Sequence, residues 1–273
     1  MGSTHEHLVE GTANALSLTT YEPETPAGLR PVVLLHGFAS SSDLNWVKSG
    51  WIRSLTEAGR RVLAVDLPGH GTSPAPEDLD AYTPSRMRAD LLQLLMDHGA
   101  LALKDGDAHS GVDLVGYSLG ARLAWEFGGT QPQLVNRLVL GGPASIDPLA
   151  AFDLPAAQQF LADGSSIADE ATADLLRMAQ TVPSNDMFSL MSMIEAIKTE
   201  PFAPEQMIPT MPTLLVAGDG DSLATTMPRL TELLGTRQTP KSVLWLQGRD
   251  HANAVTSREF KNAAVEFLAE AVS

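Results

Sequence analysis

Val112-Asp113-Leu114-Val115-Gly116-Tyr117-Ser118-Leu119-Gly120 passes from an apolar run into a serine bounded by glycines, and the residues after it take a helical period. The run Val112–Tyr117 suits a buried strand and the segment Leu119–Gly128 a helix. A serine at such a junction, with glycine two residues before and two after, fits a sharp strand-to-helix turn. Only very small residues at positions 116 and 120 let strand and helix approach closely enough, and the turn then lifts the Ser118 hydroxyl clear of the backbone. The helix N-terminus beneath adds a positive dipole where negative charge would develop. The alternative is a plain glycine-bounded turn.

Outward from this point, short β-branched or apolar runs alternate with helical segments, the pattern of a parallel sheet covered by helices. Strands are expected at Ala15–Tyr21, Pro31–Leu35, Val62–Asp66, Arg137–Gly141, Thr213–Ala217 and Val243–Leu246, and helices at Leu44–Ala58, Pro84–Asp97, Met227–Leu234 and Ser257–Val272. The fold class is therefore α/β, with a mostly parallel central sheet and helices on both faces. From Pro143 to Thr210 the alternation stops. That stretch holds helical fragments broken by prolines and is too long for a structureless loop, so it is expected to be a helical insertion. The expected division is a core of residues 1–142 and 211–273 and a helical cap of residues 143–210. Five of the ten methionines fall in the insertion (Met178, Met187, Met191, Met193, Met207), as an adaptable apolar lining or as ordinary packing.

The chain has 273 residues, 44% of them apolar, with 18 basic and 33 acidic side chains and a net charge of −15. That length fits one large domain or two small ones, with an apolar share sufficient for a sizeable core and too little charge for general disorder. The acidic balance opposes nucleic acid and anionic membrane as partners. Cysteine is absent, which excludes disulfides, thiolate metal sites and a Cys nucleophile. Met1–Tyr21 carries Glu6 and Glu10 where a signal peptide needs an apolar run, so the cytoplasm is the expected compartment. No clustered His/Asp/Glu spacing supports a metal site, since the His5-x-His7 pair lacks a third ligand, and no cofactor motif is present. Trp46, Trp51, Trp125 and Trp245 read as packing.

His36-Gly37-Phe38 follows the strand Pro31–Leu35. A glycine there lets the loop fold back so that the Phe38 N–H, with that of Leu119, can point at an oxyanion. His36 precedes the serine in the chain and sits beside that site, where its ring would hold the loop rather than act as base.

With these motifs the chain resembles the α/β-hydrolase superfamily over nearly its full length. Asp66-Leu67-Pro68-Gly69-His70-Gly71-Thr72-Ser73 is similar to a turn that is scaffold in that family, which makes His70 structural, and the insertion falls where the family places its cap. The resemblance implies the chain order nucleophile, acid, His. In Gly218-Asp219-Gly220-Asp221-Ser222 the family's register, a Gly followed three residues later by the acid, selects Asp221. Asp219 is the rival, with a turn role as its alternative. Gln247-Gly248-Arg249-Asp250-His251 resembles the loop that delivers the catalytic His. Asp250 departs from that pattern, and either raises the imidazole pKa or faces water. His98 and His109 are given surface roles.

The reading that follows is a serine hydrolase with Ser118, His251 and Asp221 as triad, the Phe38 and Leu119 N–H groups as oxyanion donors, and His36, Gly37, Gly116 and Gly120 in support. The expected substrate is a small-to-medium, largely apolar carboxylic ester. Members of the family that open epoxides or remove halogen place Asp at the nucleophile position, so Ser118 sets this chain apart from them. Lactonase, carbon–carbon bond hydrolase and other acyl hydrolase activities share the motifs. A ligand-binding or receptor protein on the same scaffold is the reading from a different class. The expected partner is a small acyl substrate, with a homo-oligomer left open.

Overall fold

The computed structural model describes residues 5–6, 15–107 and 109–270. His7 lies outside them.

Eight strands, β1 (His5–Glu6), β2 (Ser17–Tyr21), β3 (Val32–Leu35), β4 (Val62–Asp66), β5 (Val112–Tyr117), β6 (Val135–Gly141), β7 (Thr213–Gly218) and β8 (Lys241–Leu246), form one sheet in the order β1-β2-β4-β3-β5-β6-β7-β8. The β1–β2 and β2–β4 pairs are antiparallel and every other pair is parallel. The helices are α1 (Trp51–Glu57), α2 (Pro84–Asp97), α3 (Leu119–Thr130), α4 (Leu154–Asp163), α5 (Glu170–Gln180), α6 (Met187–Thr199), α7 (Met227–Thr236) and α8 (Arg258–Ala269).

Alternating side chains of each central strand feed two cores. Val33, Leu35, Leu114, Leu138 and Leu215 join a core with α2, α3 and α7, whereas Val32, Leu34, Val115, Val139 and Val216 join one with α1 and α8. Burial on both faces is why these strands read as unbroken apolar runs.

Three features depart from the sequence reading. The single helix expected at Leu44–Ala58 is two pieces, a π-helical turn at Asp43–Val47 and then α1, because Gly50 turns left-handed at φ 82° and interrupts the ladder. Trp46, Trp51 and Trp125 are buried, but Trp245 is 40% exposed, since β8 ends the sheet and leaves part of one face uncovered. Of the five insertion methionines, Met191 and Met193 are buried in the core and Met178 alone lines the cavity described below.

Residues between β6 and β7 form α4, α5 and α6, and no strand occurs among them. Each of the three begins on an aspartate, Asp153, Asp169 or Asp186, whose carboxylate accepts a first-turn N–H. Such caps satisfy donors the helix itself leaves open. No helix among the described residues is long and apolar enough to cross a membrane.

Candidate active site

Ser118 sits between the end of β5 and the start of α3 with φ 54°, a left-handed conformation that costs a non-glycine residue about 1–3 kcal/mol. Its N–H donates to Gly141 O at 2.9 Å, and its carbonyl accepts from Ala121 N at 2.9 Å and Arg122 N at 3.1 Å. A Cβ on Gly116 would lie 2.2 Å from Gly120 O, and one on Gly120 would lie 2.1 Å from Leu35 O. Both approaches are closer than any side chain permits, so the two glycines are what make the turn passable.

His251, on the loop after β8, reaches Ser118 Oγ with Nε2 at 2.8 Å and Asp221 Oδ2 with Nδ1 at 2.8 Å. Gly142, at φ 56°, leaves the space the ring occupies, since a Cβ there would lie 3.0 Å from His251 Cε1. Asp221 is fully buried at its side chain, and Oδ1 accepts from Leu223 N at 3.0 Å and Ala224 N at 3.3 Å. Burial alone would push this carboxyl up. The hydrogen bond and charge of His251, with the two amides, outweigh it and hold the group below the usual carboxylate range.

Asp219 stands apart from His251, and its Oδ1 accepts from Gly248 N at 2.7 Å. Asp250 is exposed, and its carboxylate accepts from Ala252 N at 3.0 Å and Asn253 N at 2.9 Å, which makes it a turn residue of the loop. His98 and His109 line a separate cavity of about 270 Å³ at the amino ends of β3 and β5, away from Ser118.

His36 and His70 are both buried, with ring centroids 5.2 Å apart. Leu67 N–H donates to His36 Nε2 at 3.0 Å, so the His36 proton is on Nδ1, directed at Gly37 O at 2.8 Å. In the same way Ala39 N–H donates to His70 Nε2 at 3.1 Å, and Nδ1 faces Pro68 O at 2.9 Å. Burial lowers both imidazoles, His70 to about 3, despite the nearby Asp66 carboxylate. Both rings are therefore neutral acceptors for main-chain N–H groups.

Between them they hold the turn Gly37–Ser40, closed by Ser40 N to Gly37 O at 3.3 Å, with Ala39 at φ 55°. Gly37 N–H is taken by Asn45 Oδ1 at 2.9 Å. The Phe38 and Leu119 N–H groups have no acceptor among the described residues, and both residues line the same cavity as Ser118 and His251. That cavity measures about 300 Å³. Its walls are mostly apolar, with Leu149, Leu175, Met178 and Val182 supplied by the residues between β6 and β7. Arg122 and Asp147 also line it and form a buried ion pair. Among the described residues no group of His, Asp and Glu is placed to hold a metal.

Sequence reasoning missed Tyr117, Asn45, Asn185 and the Arg122–Asp147 pair, all of which touch the site or its loops. Tyr117 lies inside the quoted motif, and its hydroxyl donates to His251 O at 2.6 Å. The others are single polar residues with no repeating pattern around them.

A family model described as alpha/beta hydrolase fold matches residues 30–172. Epoxide hydrolase A of Mycobacterium tuberculosis (strain ATCC 25618 / H37Rv) is 33% identical over 161 residues, which is 59% of this chain and 44% of that protein. The 2-hydroxy-6-oxononadienedioate/2-hydroxy-6-oxononatrienedioate hydrolase of Paraburkholderia phymatum is 30% identical over 158 residues, 54% of this chain and 48% of that protein. The chain thus spans less than half the length of these curated relatives. A structure from work on carboxylesterases of the thaumarchaeon Nitrososphaera gargenis superposes with a TM-score of 0.71 at 19% identity, covering 96% of this chain and 97% of that one. At that identity the likeness is one of fold.

Proposed function

Because this chain belongs to the alpha/beta hydrolase fold family, we propose that it is a serine hydrolase that cleaves a small-to-medium, largely apolar carboxylic ester through an acyl-enzyme. The observation that carries this reading is the contact chain Asp221–His251–Ser118, with 2.8 Å at each link, beside two main-chain N–H groups that have no acceptor among the described residues.

In the proposed reaction Ser118 Oγ bonds to the ester carbonyl carbon as its proton passes to His251 Nε2. The carbonyl electron pair moves to oxygen, which receives the N–H groups of Phe38 and Leu119. As the tetrahedral species collapses, the C–O bond to the alcohol breaks and the leaving oxygen takes the proton from Nε2. A water then gives a proton to His251 and attacks the acyl carbon. The second collapse releases the acid and returns the proton to Ser118. Asp221 stays ionised and stabilises the imidazolium.

Two further features support the substrate class. Epoxide opening by alkyl transfer needs a carboxylate nucleophile, and the turn between β5 and α3 carries Ser118. Asp147 neutralises Arg122, which is the one Lys or Arg side chain among the described lining residues, so an uncharged substrate fits the cavity better than a dicarboxylate. Helices α4–α6 would act as the cap that closes over it.

The test is initial rates on 4-nitrophenyl esters of increasing acyl length for wild type and Ser118→Ala. The expected result is a loss of about 10⁴-fold or more in kcat, with fluorophosphonate labelling abolished. A variant that kept its turnover would defeat the assignment.

A further inference from the structure

Asn185 lies in the connection between α5 and α6, and its Nδ2 donates to two main-chain carbonyls. One is Ala179 O at 2.9 Å, in the last turn of α5, where a helix leaves carbonyls open. The other is Ala39 O at 3.0 Å, in the turn that carries Phe38. A single side-chain amide thus joins the segment that walls the cavity to the loop beside Ser118.

Ala39 needs holding. Its φ of 55° is a conformation that an alanine leaves readily unless its neighbours fix it. His70 Nε2 accepts its N–H and Asn185 Nδ2 donates to its carbonyl, so the residue is restrained on both sides. If Ala39 relaxed to negative φ, the Gly37–Ser40 turn would rebuild and the Phe38 N–H would leave the Ser118 side.

We infer that Asn185 is a positioning residue for acyl transfer, fastening α5 to the Gly37–Ser40 turn so that the Phe38 N–H faces Ser118 while α5 is seated. This rests on the ester-hydrolase reading for its kinetic consequence, but the tether itself is a matter of backbone order. A donor displaced by part of an ångström loses transition-state stabilisation while ground-state binding is kept.

The experiment compares wild type with Asn185→Asp, which keeps the shape and loses both donors, and Asn185→Leu. Asp169→Ala removes the cap at the N-terminal end of α5, opposite the last turn that Asn185 holds, and so frays the first turn without touching Ala179 or Ala39. Hydrogen exchange over residues 36–42 and kinetics on 4-nitrophenyl butyrate are read together. Both Asn185 variants are expected to raise exchange at 38–40 about tenfold or more and to lower kcat by about tenfold to a hundredfold, with KM within about twofold. Inhibition by an aryl trifluoromethyl ketone weakens by the same factor as kcat. Asp169→Ala keeps kcat within about twofold. Unchanged exchange at 38–40, an effect confined to KM, or an equal fall in kcat for Asp169→Ala each overturns the inference. Should wild type turn over no ester, that reading fails and the exchange comparison alone decides the tether.

Discussion

Tyr117 Oη donates to the main-chain oxygen of His251 at 2.6 Å, and the two rings lie tilted at 39° with centroids 5.6 Å apart. The residue next to Ser118 therefore ties down the loop that brings the imidazole to it, across 134 positions of sequence. Burial pushes the phenol well above its ordinary pKa, and the Asp221 charge adds to this, so the hydroxyl stays a donor throughout the working range.

Tyr117→Phe keeps the ring contact and deletes this bond. It should cost about 1 kcal/mol of stability, because the part-buried carbonyl is left without this donor. Esterase kcat should fall several-fold at unchanged KM as the loop loosens. Urea unfolding and steady-state kinetics on one preparation check both parts.

Gly120→Ala places a methyl 2.1 Å from Leu35 O, a main-chain atom that cannot swing aside. The strand-to-helix turn must open. A loss of more than about 2 kcal/mol is expected, together with most of the turnover. Gly99→Ala serves as comparison, since a Cβ there meets nothing within 4 Å, although its φ of 79° carries some backbone strain.

Stability should fall as the solution is acidified below pH 6.5. His70 is held at about 3 in the folded state, so between 3 and 6.5 the unfolded chain binds the extra proton. Unfolding is then favoured by about 1.4 kcal/mol for each pH unit lost. Above 6.5 this contribution is fully present. His36 acts in the same direction. Urea midpoints at pH 7 and pH 5.5 should show the slope, and His70→Gln, which can still accept the Ala39 N–H, should flatten it.

Arg122 bonds to Asp147, to Glu126 Oε1 at 3.3 Å and to Glu200 O at 2.5 Å. Arg122→Met leaves the Asp147 carboxylate without its partner, while Glu126 keeps its ion pair with Arg88, and should cost about 3–5 kcal/mol. Burial pushes the Asp147 carboxyl up despite Arg122, so protonation relieves part of that cost and the penalty should shrink toward acidic pH. Adding Asp147→Leu to the same chain should recover part of the loss. A double-mutant cycle by urea unfolding measures the recovery.

The sheet was legible where burial is two-sided. Val32–Leu35 and Leu214–Ala217 read as central strands because no polar residue is tolerated on either face. Gly116 and Gly120 were legible for a steric reason, since each permits an approach that a side chain would block. They led to Ser118, whereas Asp221 was found through the family's register from Gly218, and the structure brings both together with His251. The break at Gly50 was hidden because the apolar spacing runs on through it. Trp245 misled because a large apolar residue on an edge strand has the same composition as one in the core. Asn45 and Asn185 could not be found from spacing, because a hydrogen bond between distant loops leaves no period in the chain.

The ladder between β6 and β7 closes directly, Leu138 opposite Thr213 and Gly141 opposite Val216, as though the residues between them were not there. The strand pairing itself therefore does not depend on the length of that insertion, although α6 adds Leu190, Met193 and Ile194 to the core that the strands share. In the proposed hydrolase, substrate preference can be altered through the residues this segment gives to the cavity, Leu149, Leu175, Met178 and Val182, without rebuilding the strand pairing. One condition travels with such a change: the altered segment must present a donor to the carbonyl of Ala39.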